Sequence, residues 1–439
     1  MNILVLNGSP SGEDSITLCT ARYIEKLHPE HHFQELAVGR RIKAYERDFS
    51  ECRTRLAEAD LILFCYPVYT FLVPAQLHRF VELMKESGLD FSGKYATQIT
   101  TSKHFYDVTA HRFIQDNCDD LGLRYLDGLS ADMDDLLAKK GQKEAADFFH
   151  FILWQMGEVA LPAKAASREA GKRIVIVTDS GGGSEALQHL IDFFRAACHC
   201  QTTVADLATF PFAGGCLGCF RCAASGECVY KDGFSTYLRE HIQTAAAVVY
   251  AFRVKDHSMG YRFKLFDDRQ FCNGHRTVTM GSPVGYLIDG DLREEPNLRM
   301  LIEARAQVGG NYLAGVAESC RDGEAEARQL ADTLWYAIEN DYQPPANFYG
   351  VGGLKIFRDL IYQMRGMMRE DHRFYKKNGF YDFPQKKKGR IVGMYLVGAM
   401  MKNEKLQKKI GGRMTEGMIM PYKSVLKKAE RQARRNKQK

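Results

Sequence analysis

Two long stretches of the chain alternate short apolar runs with segments of helical period. The first stretch opens with the apolar run NILVLNG at residues 2–8, and an amphipathic segment follows at Ile16–Leu27. The second opens with RIVIVTDS at 173–180, and its amphipathic segment is Ala186–Cys198. Short apolar runs indicate buried strands, whereas apolar positions spaced three and four apart indicate helices. Because the elements follow in the same order in both stretches, the chain is interpreted as two copies of one architecture.

Each stretch predicts five strands with helices between them. In the first stretch, strands are expected over 2–8, up to Val38, over 60–69, over 94–102 and near Tyr125, with helices over 16–27, 52–59, 74–87, 110–121 and from Leu136. In the second, strands are expected over 173–180, 203–206, 246–254, 278–287 and 311–318, with helices over 186–198, 234–243, from Leu298 and over 325–338. Strands that alternate with helices through short links form parallel sheets covered on both faces.

The pattern therefore predicts an α/β protein with two tandem flavodoxin-like, doubly wound parallel-sheet domains and a basic helical C-terminal extension. The predicted boundaries are 1–165, 171–342 and 343–439. The divider is Leu161–Gly171, where Pro162 and small residues interrupt the pattern. The extension is rich in Lys, Arg, Met, Tyr and Phe and contains the apolar run IVGMYLVGAMM. We expect amphipathic helices that pack back on the domains, with contact to a membrane surface as the alternative.

The charge of the chain is concentrated at its end. The net charge is +6, and the segment from Lys423, with eight basic residues and one acid, contributes +7, so the remainder carries −1. A basic tail is most often a solvated helix. A weak contact with an anionic membrane surface is the alternative, and no specific nucleic acid is expected.

The cysteines and the first residues indicate a compartment. Met1-Asn2 leads directly into an apolar strand without a signal-peptide pattern, and the chain has twelve cysteines spread along its length. No uninterrupted apolar run is long enough to cross a bilayer. We therefore expect a cytoplasmic protein, where cysteines bind metals or stay reduced.

Four cysteines form the most informative motif. Cys216, Cys219, Cys222 and Cys228 follow a C-x2-C-x2-C-x5-C spacing in GGCLGCFRCAASGECVYKDGF. Four thiolates this close can hold an iron–sulfur cluster or a structural zinc ion. The repeated x2 spacing favours a [4Fe–4S] cluster, because zinc ribbons use two separated C-x2-C pairs. Zinc and a vestigial cysteine loop remain open, and a disulfide framework is the least favoured interpretation.

A hydroxyl-rich loop joins the first strand to the first helix. The segment NGSPSGEDSITL has hydroxyls at Ser9, Ser11, Ser15 and Thr17, and Ile16 begins the helix. Unpaired backbone N–H groups at a helix N-terminus bind anions. The loop lacks the Gly-Lys-Ser/Thr of a P-loop and the G-x-G-x-x-G of a dinucleotide site. A mononucleotide phosphate therefore fits best, with a well-capped helix as the alternative.

Two further segments belong to the same edge of the predicted sheet. The third strand runs into Pro67, Val68, Tyr69, Thr70 and Phe71, and the fourth ends in Thr101, Ser102, Lys103 and His104. Ligands of doubly wound sheets bind at the carboxyl ends of the strands, near the point where the strand order reverses. Aromatic side chains there suit a flat ring system, although ordinary packing would also explain them.

These motifs resemble a known superfamily. GSPSGEDSIT and YPVYTFLVPAQLHRF resemble the NADPH-dependent FMN reductase and flavodoxin-like oxidoreductases, and the cysteine run followed by Lys231-Asp232 resembles their iron–sulfur flavoprotein branch. The resemblance covers roughly residues 1–340. It implies FMN, with its phosphate on Ser9, Ser11, Ser15 and Thr17 beside Ile16. It also implies an isoalloxazine ring bordered by Pro67, Val68, Tyr69, Thr70, Phe71, Thr101, Ser102 and His104. The cysteine motif would hold a [4Fe–4S] cluster near FMN.

The two halves depart from that family in opposite ways. The first has the P-x-Y loop but no cysteines in AVGRRIKAYERDF, and the second has the cysteines but AFRVKDHSMGYRF in place of the loop. Its phosphate-loop equivalent, Ser180–Ser184, is altered, so a second FMN is left open. We expect one half to keep the flavin and the other the cluster, in an internal pseudo-dimer.

The predicted function is a flavin-dependent oxidoreductase. Electrons would pass from NAD(P)H or a reduced carrier protein through FMN and the cluster to a small-molecule acceptor. Two alternatives are a non-catalytic redox or structural protein with a zinc-bound loop, and an FMN-only quinone or nitro reductase. The sequence leaves open the physiological donor and acceptor, the choice of NADH or NADPH, and whether the chain forms a homodimer.

Overall fold

The computed structural model describes residues 1–161, 172–179, 184–401 and 404–437, without the side chains of 400–401, 404–416 and 436–437. The chain divides into two compact units: Met1–Ala160 with Phe383–Lys439, and Leu161–Asp382. The predicted divider and most of the second phosphate loop, residues 180–183, lie outside the described residues.

The first unit is a parallel sheet with helices on both faces. Its strands are β1 (Asn2–Asn7), β2 (His32–Leu36), β3 (Leu61–Pro67), β4 (Tyr95–Ser102), β5 (Arg124–Tyr125) and β6 (Leu129–Asp132). Its helices are α1 (Ile16–Leu27), α2 (Val38–Arg47), α3 (Ser50–Glu58), α4 (Ala75–Glu86), α5 (Asp107–Asp120) and α6 (Lys139–Gln155). The strand order is β2-β1-β3-β4-β5, and β6 also pairs with β4.

The second unit repeats this topology. Its strands are β7 (Arg173–Thr178), β8 (Gln201–Asp206), β9 (Ala247–Arg253), β10 (Pro283–Asp289) and β11 (Tyr312–Glu318). Its helices are α7 (Glu185–Ala197), α8 (Arg221–Ser225), α9 (Phe234–Tyr237), α10 (Gly260–Arg269), α11 (Pro296–Gly309), α12 (Gly323–Asn340), α13 (Phe348–Gln363) and α14 (Arg369–Lys377). The sheet order β11-β10-β9-β7-β8 equals 2-1-3-4-5 when counted within the unit. Both sheets thus have the flavodoxin-like order, which confirms the predicted fold class.

The central strands are buried because both of their faces carry apolar residues. In β3, the sequence LILFCY is fully buried, as is typical of a parallel strand with helices on either side. In α1, the Ser15 side chain accepts a hydrogen bond from the Leu18 N–H, and Leu18, Ala21 and Ile24 are buried. The cap and the apolar stripe explain why α1 begins and ends as the sequence predicts.

The C-terminal residues do not form one body. Residues 343–382, with α13 and α14, belong to the second unit, whereas α15 (Lys388–Met401) and α16 (Glu404–Lys437) belong to the first. The predicted extension 343–439 is therefore shared between the two units. Among the described residues, no helix is both long and apolar enough to cross a bilayer.

Several elements differ from the expected pattern. The strand predicted up to Val38 ends at Leu36, and α2 begins at Val38. The fifth strand of the first unit is interrupted, so that β4 pairs with β5 at one end and with β6 at the other. The second unit has an additional helix, α10, and β10 begins at Pro283 rather than near Val278 because a turn precedes it.

Candidate functional site

A cavity of about 520 Å³ opens at the carboxyl ends of β1, β3 and β4 in the first unit. This edge lies where the strand order reverses between β1 and β3, the usual ligand position in such sheets. The lining residues are Ser9, Ser11, Asp14, Ser15, Ile16, Thr17, Pro67, Val68, Tyr69, Thr70, Phe71, Thr101, Ser102, Lys103, Phe105, Met133, Met418 and Ile419. The cavity thus brings together every flavin-binding residue predicted from the sequence except His104.

Internal hydrogen bonds fix the hydroxyl loop after β1. Asn7 Oδ1 accepts from the Ser9 N–H at 3.2 Å, and Ser9 Oγ accepts from the Ser11 N–H at 3.3 Å. Gly12 adopts a left-handed φ of 61° and closes the turn by donating its N–H to the Ser9 carbonyl. The loop therefore arrives at α1 in a defined conformation, with Ser9 and Ser15 buried.

The start of α1 provides donors for an anion. The first N–H groups of a helix have no intrahelical acceptor, and here they belong to Ile16 and Thr17 on the cavity wall. Thr17 Oγ1 lies 2.5 Å from Thr101 Oγ1, which joins α1 to the end of β4. Together these hydroxyl and N–H groups have the donor chemistry that a phosphate requires.

The helix that the sequence pattern missed supports this loop. In α2, Arg40 Nη2 donates to the Ser11 carbonyl at 3.1 Å. A Cβ on Gly39 would lie 2.1 Å from the Ser9 carbonyl oxygen, so α2 approaches the loop as closely as only glycine permits. Arg40 thus adds a cation next to the loop. In the sequence, helix α2 was indicated by the helical spacing of the apolar residues Val38, Ile42 and Tyr45.

A tight turn presents aromatic rings at the other side of the cavity. Tyr69 and Leu72 exchange backbone hydrogen bonds of 2.9 and 3.0 Å, and Thr70 and Phe71 between them have φ values of 47° and 71°. Left-handed backbone at two successive non-glycine residues is uncommon, and such conformations concentrate at ligand sites. The turn leaves Tyr69 and Phe71 about half exposed.

Phe71 belongs to an exposed aromatic cluster. Its ring centroid lies 5.3 Å from that of Phe105 and 5.0 Å from that of Tyr106. Exposed rings of this kind offer flat surfaces to a planar ligand. The cluster and the donors of α1 border one cavity, as an elongated ligand with a phosphate and a ring system would need.

Two features of this cavity were not predicted. Lys103 Nζ lies 2.5 Å from Asp132 Oδ1. Burial lowers the pKa of Lys103, but the hydrogen bonds and negative charges of Asp132 and Asp134 together raise it. The second feature is a wall from α16, where Met418 and Ile419 line the cavity. Ile419 and Tyr422 pack with Cys19 of α1, and Tyr422 Oη donates to the Met133 carbonyl at 2.6 Å.

His104 points into a buried polar network instead of the cavity. Its Nδ1 lies 3.0 Å from Asp107 Oδ2, and Ser130 Oγ donates to the same oxygen at 2.6 Å. His104 has a left-handed φ of 64°, which places its side chain among these groups. The structure therefore assigns His104 to the support of the β4 end and not to the cavity lining.

The four cysteines line a second cavity, of about 250 Å³, in the second unit. Cys216 and Cys219 are exposed, Cys222 and Cys228 are partly buried, and all four are free thiols. Gly218 and Phe220 adopt left-handed backbone, so the loop curls between Cys216 and the short helix α8 that carries Cys222. No three of these four described sulfurs lie within 4.8 Å of one another, so the structure shows no preformed mononuclear metal site.

A buried ion pair holds the two ends of the cysteine loop. Arg269 of α10 donates to both carboxylate oxygens of Asp232 at 2.8 Å and to the Gly214 carbonyl at 2.8 Å. Asp232 also accepts from the Ala213 and Phe234 N–H groups. Burial raises the pKa of Asp232, but the hydrogen bonds from Arg269 and from the Ala213 and Phe234 N–H groups, together with the positive charge of Arg269, lower it to about 2.

Arg269 has an unused donor at the cysteine cavity. The residue is buried and lines the cavity, yet its Nε has no acceptor within the described part of the chain. A buried polar atom without a partner indicates a missing group. A cluster held by four thiolates carries negative charge and sulfur acceptors, so the arginine and the cysteines fit such a group.

Other residues of this cavity come from distant parts of the chain. Cys272 is buried, and burial raises its pKa, while His275 Nδ1 lies 3.0 Å from Asp371 Oδ2 of α14. Ala223 of α8 packs with Ile361 of α13 and with Met368, just before α14. Helices beyond residue 340, where the resemblance to the family ends, therefore cover α8, the helix that carries Cys222.

The second phosphate loop is described only at its end. Ser184 Oγ accepts from the Leu187 N–H and donates to Asp289 Oδ2 at 2.6 Å. This hydroxyl thus caps α7 and contacts a carboxylate. Residues 180–183, which hold most of the loop expected for a second FMN, are outside the described part of the chain.

Part of the first unit is similar to a known protein family. Residues 1–112 match the family model of NADPH-dependent FMN reductase. An iron-sulfur flavoprotein from Archaeoglobus fulgidus is 28% identical over 174 residues, which cover 38% of this chain and 79% of the relative.

Solved structures are also similar to part of the chain. An FMN-dependent NADH-azoreductase from Bacillus anthracis matches at 13% identity and a TM-score of 0.28, covering 34% of this chain and 98% of its own. The flavoenzyme FerB from Paracoccus denitrificans, an NAD(P)H:(acceptor) oxidoreductase, matches at 17% identity and a TM-score of 0.29, covering 36% and 95%. The family match confirms, for residues 1–112, the predicted resemblance to the NADPH-dependent FMN reductases.

Proposed function

We propose that the first unit binds FMN in the 520 Å³ cavity. The observation that carries this proposal is the convergence of hydroxyls, helix N–H groups and exposed aromatic rings on one cavity, within and beside the segment that matches the FMN reductase family. Ser9, Ser11, Ser15 and Thr17 would hold the phosphate together with the N–H groups of Ile16 and Thr17. The turn Pro67–Phe71 and the β4 end at Thr101 and Ser102 would border the ring.

We further propose that Cys216, Cys219, Cys222 and Cys228 hold a [4Fe–4S] cluster. Three observations support it: the spacing, the shared cavity and the Arg269 Nε without an acceptor among the described residues. The similar protein from Archaeoglobus fulgidus is an iron–sulfur flavoprotein. Arg269 would stabilise the negative charge of the thiolate-bound cluster, while Asp232 orients the guanidinium.

On this basis the chain is an NAD(P)H-dependent oxidoreductase that transfers electrons to a small-molecule acceptor. Bound FMN would supply the exchange between hydride and single electrons, and a bound cluster would supply single-electron transfer. The residues of this chain bind the cofactors, orient them and shield them. The Thr17–Thr101 contact and the hydrogen-bonded Tyr69–Leu72 turn would hold the proposed phosphate and ring positions relative to each other.

Cofactor content of protein purified without oxygen tests both assignments. We expect one FMN per chain, with iron and acid-labile sulfide in a ratio that fits one [4Fe–4S] cluster. Cys219→Ser should lose the iron and keep FMN. Cys272→Ser is the matched control, because Cys272 lines the same cavity outside the spaced motif; it should keep both.

The alternatives give different results in the same measurement. Stoichiometric zinc without sulfide would show a structural zinc loop. FMN without iron, sulfide or zinc would show a flavin-only quinone or nitro reductase. Iron loss in Cys272→Ser but not in Cys219→Ser would contradict the assigned ligand set.

A further inference from the structure

The apolar helix α15 of the first unit is exposed to solvent. Ile391, Val392, Met394, Tyr395 and Leu396 expose 41, 57, 59, 77 and 62% of their surface. At about 100° per residue these five side chains cover about 200° of the helix circumference. A helix that is apolar around most of its circumference normally lies in a protein core or in lipid. Within the described unit α15 is not in the core.

The length of α15 decides whether it could cross a bilayer or would lie along the membrane interface. Its 14 residues give a rise of about 21 Å, which is shorter than the roughly 30 Å of a bilayer's hydrocarbon core. A short apolar helix outside a protein core is therefore suited to lie along the membrane interface and not to cross it.

Cations lie just before this helix and in its first turn. Lys386, Lys387, Lys388 and Arg390 are all exposed, and Arg390 Nη1 lies 3.5 Å from Asp134 Oδ2. Basic residues at the edge of an apolar helix are attracted to anionic lipid headgroups while the apolar part enters the acyl boundary.

The next helix, α16, has a basic face opposite its packing face. Its buried residues Ile419, Tyr422 and Ala429 lie within about 80° of one another on the helical wheel. Its exposed cations lie within about 140° on the opposite side. These cations are Lys423, Lys427, Lys428, Arg431, Arg434 and Arg435. These six cations face away from the unit, and although Arg434 pairs with Glu430 at 2.8 Å, the excess of positive charge is complementary to anionic headgroups.

Both surfaces lie beside the flavin cavity of the same unit. Arg390 before the apolar run contacts Asp134, and Tyr422 Oη donates to the carbonyl of the neighbouring Met133, which lines the cavity. Met418 and Ile419 of α16 line it as well. The loop at 133–134 thus connects α15, α16 and the cavity wall.

We propose that α15 and the basic face of α16 form a docking surface for an anionic lipid bilayer. The exposed side chains of α15 enter the boundary between headgroups and acyl chains, and the cations of the two helices contact anionic headgroups. Docking of this kind brings the flavin cavity next to the membrane. The inference goes beyond the proposed redox function and does not depend on which cofactors the chain holds.

Vesicle flotation of the full-length protein tests this surface. Vesicles of phosphatidylcholine with phosphatidylglycerol should bind the protein at least about tenfold more tightly than vesicles of phosphatidylcholine alone. Binding should weaken as salt rises, because salt screens the headgroup charge.

Two variants and a matched control locate the contact. Val392→Asp/Leu396→Asp places charges on the apolar helix, and Lys427→Glu/Arg431→Glu reverses two charges of the basic face. All four positions are exposed, so the fold should persist, and far-UV circular dichroism checks it. Each pair should lower the affinity for anionic vesicles at least about tenfold. Lys43→Glu/Arg47→Glu, which reverses two exposed cations of α2, should bind like the unchanged protein.

Three results would overturn the proposal. The first is no binding to anionic vesicles at low salt. The second is an affinity for anionic vesicles that neither variant pair changes, or that Lys43→Glu/Arg47→Glu lowers as much as those pairs do. The third is a dimer that Val392→Asp/Leu396→Asp dissociates while anionic vesicles fail to bind, since a second copy of the chain would then be the occupant of α15.

Discussion

At the scale of single residues, the hydroxyls of the loop after β1 have structural roles beside the binding role proposed for them. Ser15 Oγ caps α1, and Thr17 Oγ1 contacts Thr101 Oγ1. We predict that Ser15→Ala/Thr17→Ala lowers FMN affinity at least about tenfold, because each hydrogen bond to a phosphate contributes about 1.5–3 kcal/mol. Fluorescence titration of the flavin-free protein measures the affinity.

A control separates binding from helix stability. Loss of the Ser15 cap should itself lower stability by about 1 kcal/mol. Ser50→Ala/Thr54→Ala removes two hydroxyls from α3, where Thr54 Oγ1 donates to the Ser50 carbonyl outside the cavity. This control should keep its affinity for FMN. Equal retention of flavin by both double variants would place the phosphate elsewhere.

The Asp232–Arg269 pair should give the second unit a defined acid dependence. The folded pKa of Asp232 is about 2, below its usual value of 3.8. A depressed carboxyl pKa contributes stability that is fully present above the unfolded pKa and is lost as the pH falls towards the folded pKa. The lowered pKa of Asp232 therefore adds about 2 kcal/mol to the free energy of unfolding at neutral pH. About 1 kcal/mol of this contribution is lost by pH 3.

Denaturant unfolding of metal-free protein measures this contribution. Asp232→Asn should be less stable than the unchanged protein at pH 6, since it leaves the buried Arg269 without its counter-charge. The difference should shrink as the pH falls from 5 to 3. A difference that is constant over this range would show that the carboxylate charge does not hold the loop.

The local sequence predicted the residues that line the cavities better than the residues that hold them in position. The motif spacing located the hydroxyl loop and the Pro67–Phe71 turn because each is contiguous and directly follows a strand. His104 was misplaced because its left-handed backbone turns it towards Asp107, which spacing cannot show. Arg269 and Cys272 were missed because they reach the cysteine cavity from more than 40 positions along the chain.

At the scale of elements, α2 and α16 both contribute to the 520 Å³ cavity of the first unit from outside the predicted motifs. The period of α2 was visible in Val38, Ile42 and Tyr45 but was obscured by the intervening charges. The contact between α16 and α1 joins residues about 400 positions apart, and no local pattern encodes such a pairing.

The wall provided by α16 leads to a prediction on two methionines. Met418 lines the cavity, whereas Met420 is exposed on another side of the same helix. Met418→Ala should weaken FMN binding several-fold through lost apolar contact, and Met420→Ala should leave it unchanged. Both side chains are largely exposed, so little stability should be lost. Equal affinities in the two variants would mean that α16 does not contact the flavin.

At the scale of the whole molecule, two sheets of one topology carry different chemical groups. Alternating strands and helices predicted both sheets, because hydrophobic periodicity determines which faces are covered. The first unit has the hydroxyl loop and the aromatic turn, and the second has the cysteine loop with Arg269. The division of the last hundred residues between the units was not predictable, since it depends on tertiary packing around α1 and α8.

The central claim is that one chain carries a flavin and a cluster that exchange electrons. An anaerobic reductive titration with NADH or NADPH, followed by visible absorbance and electron paramagnetic resonance, tests it most directly. We predict that the flavin bands bleach and that a cluster signal then appears, whereas Cys219→Ser shows the flavin change alone. A flavin that is reduced while the cluster stays oxidised, even with a strong low-potential donor, would contradict the account.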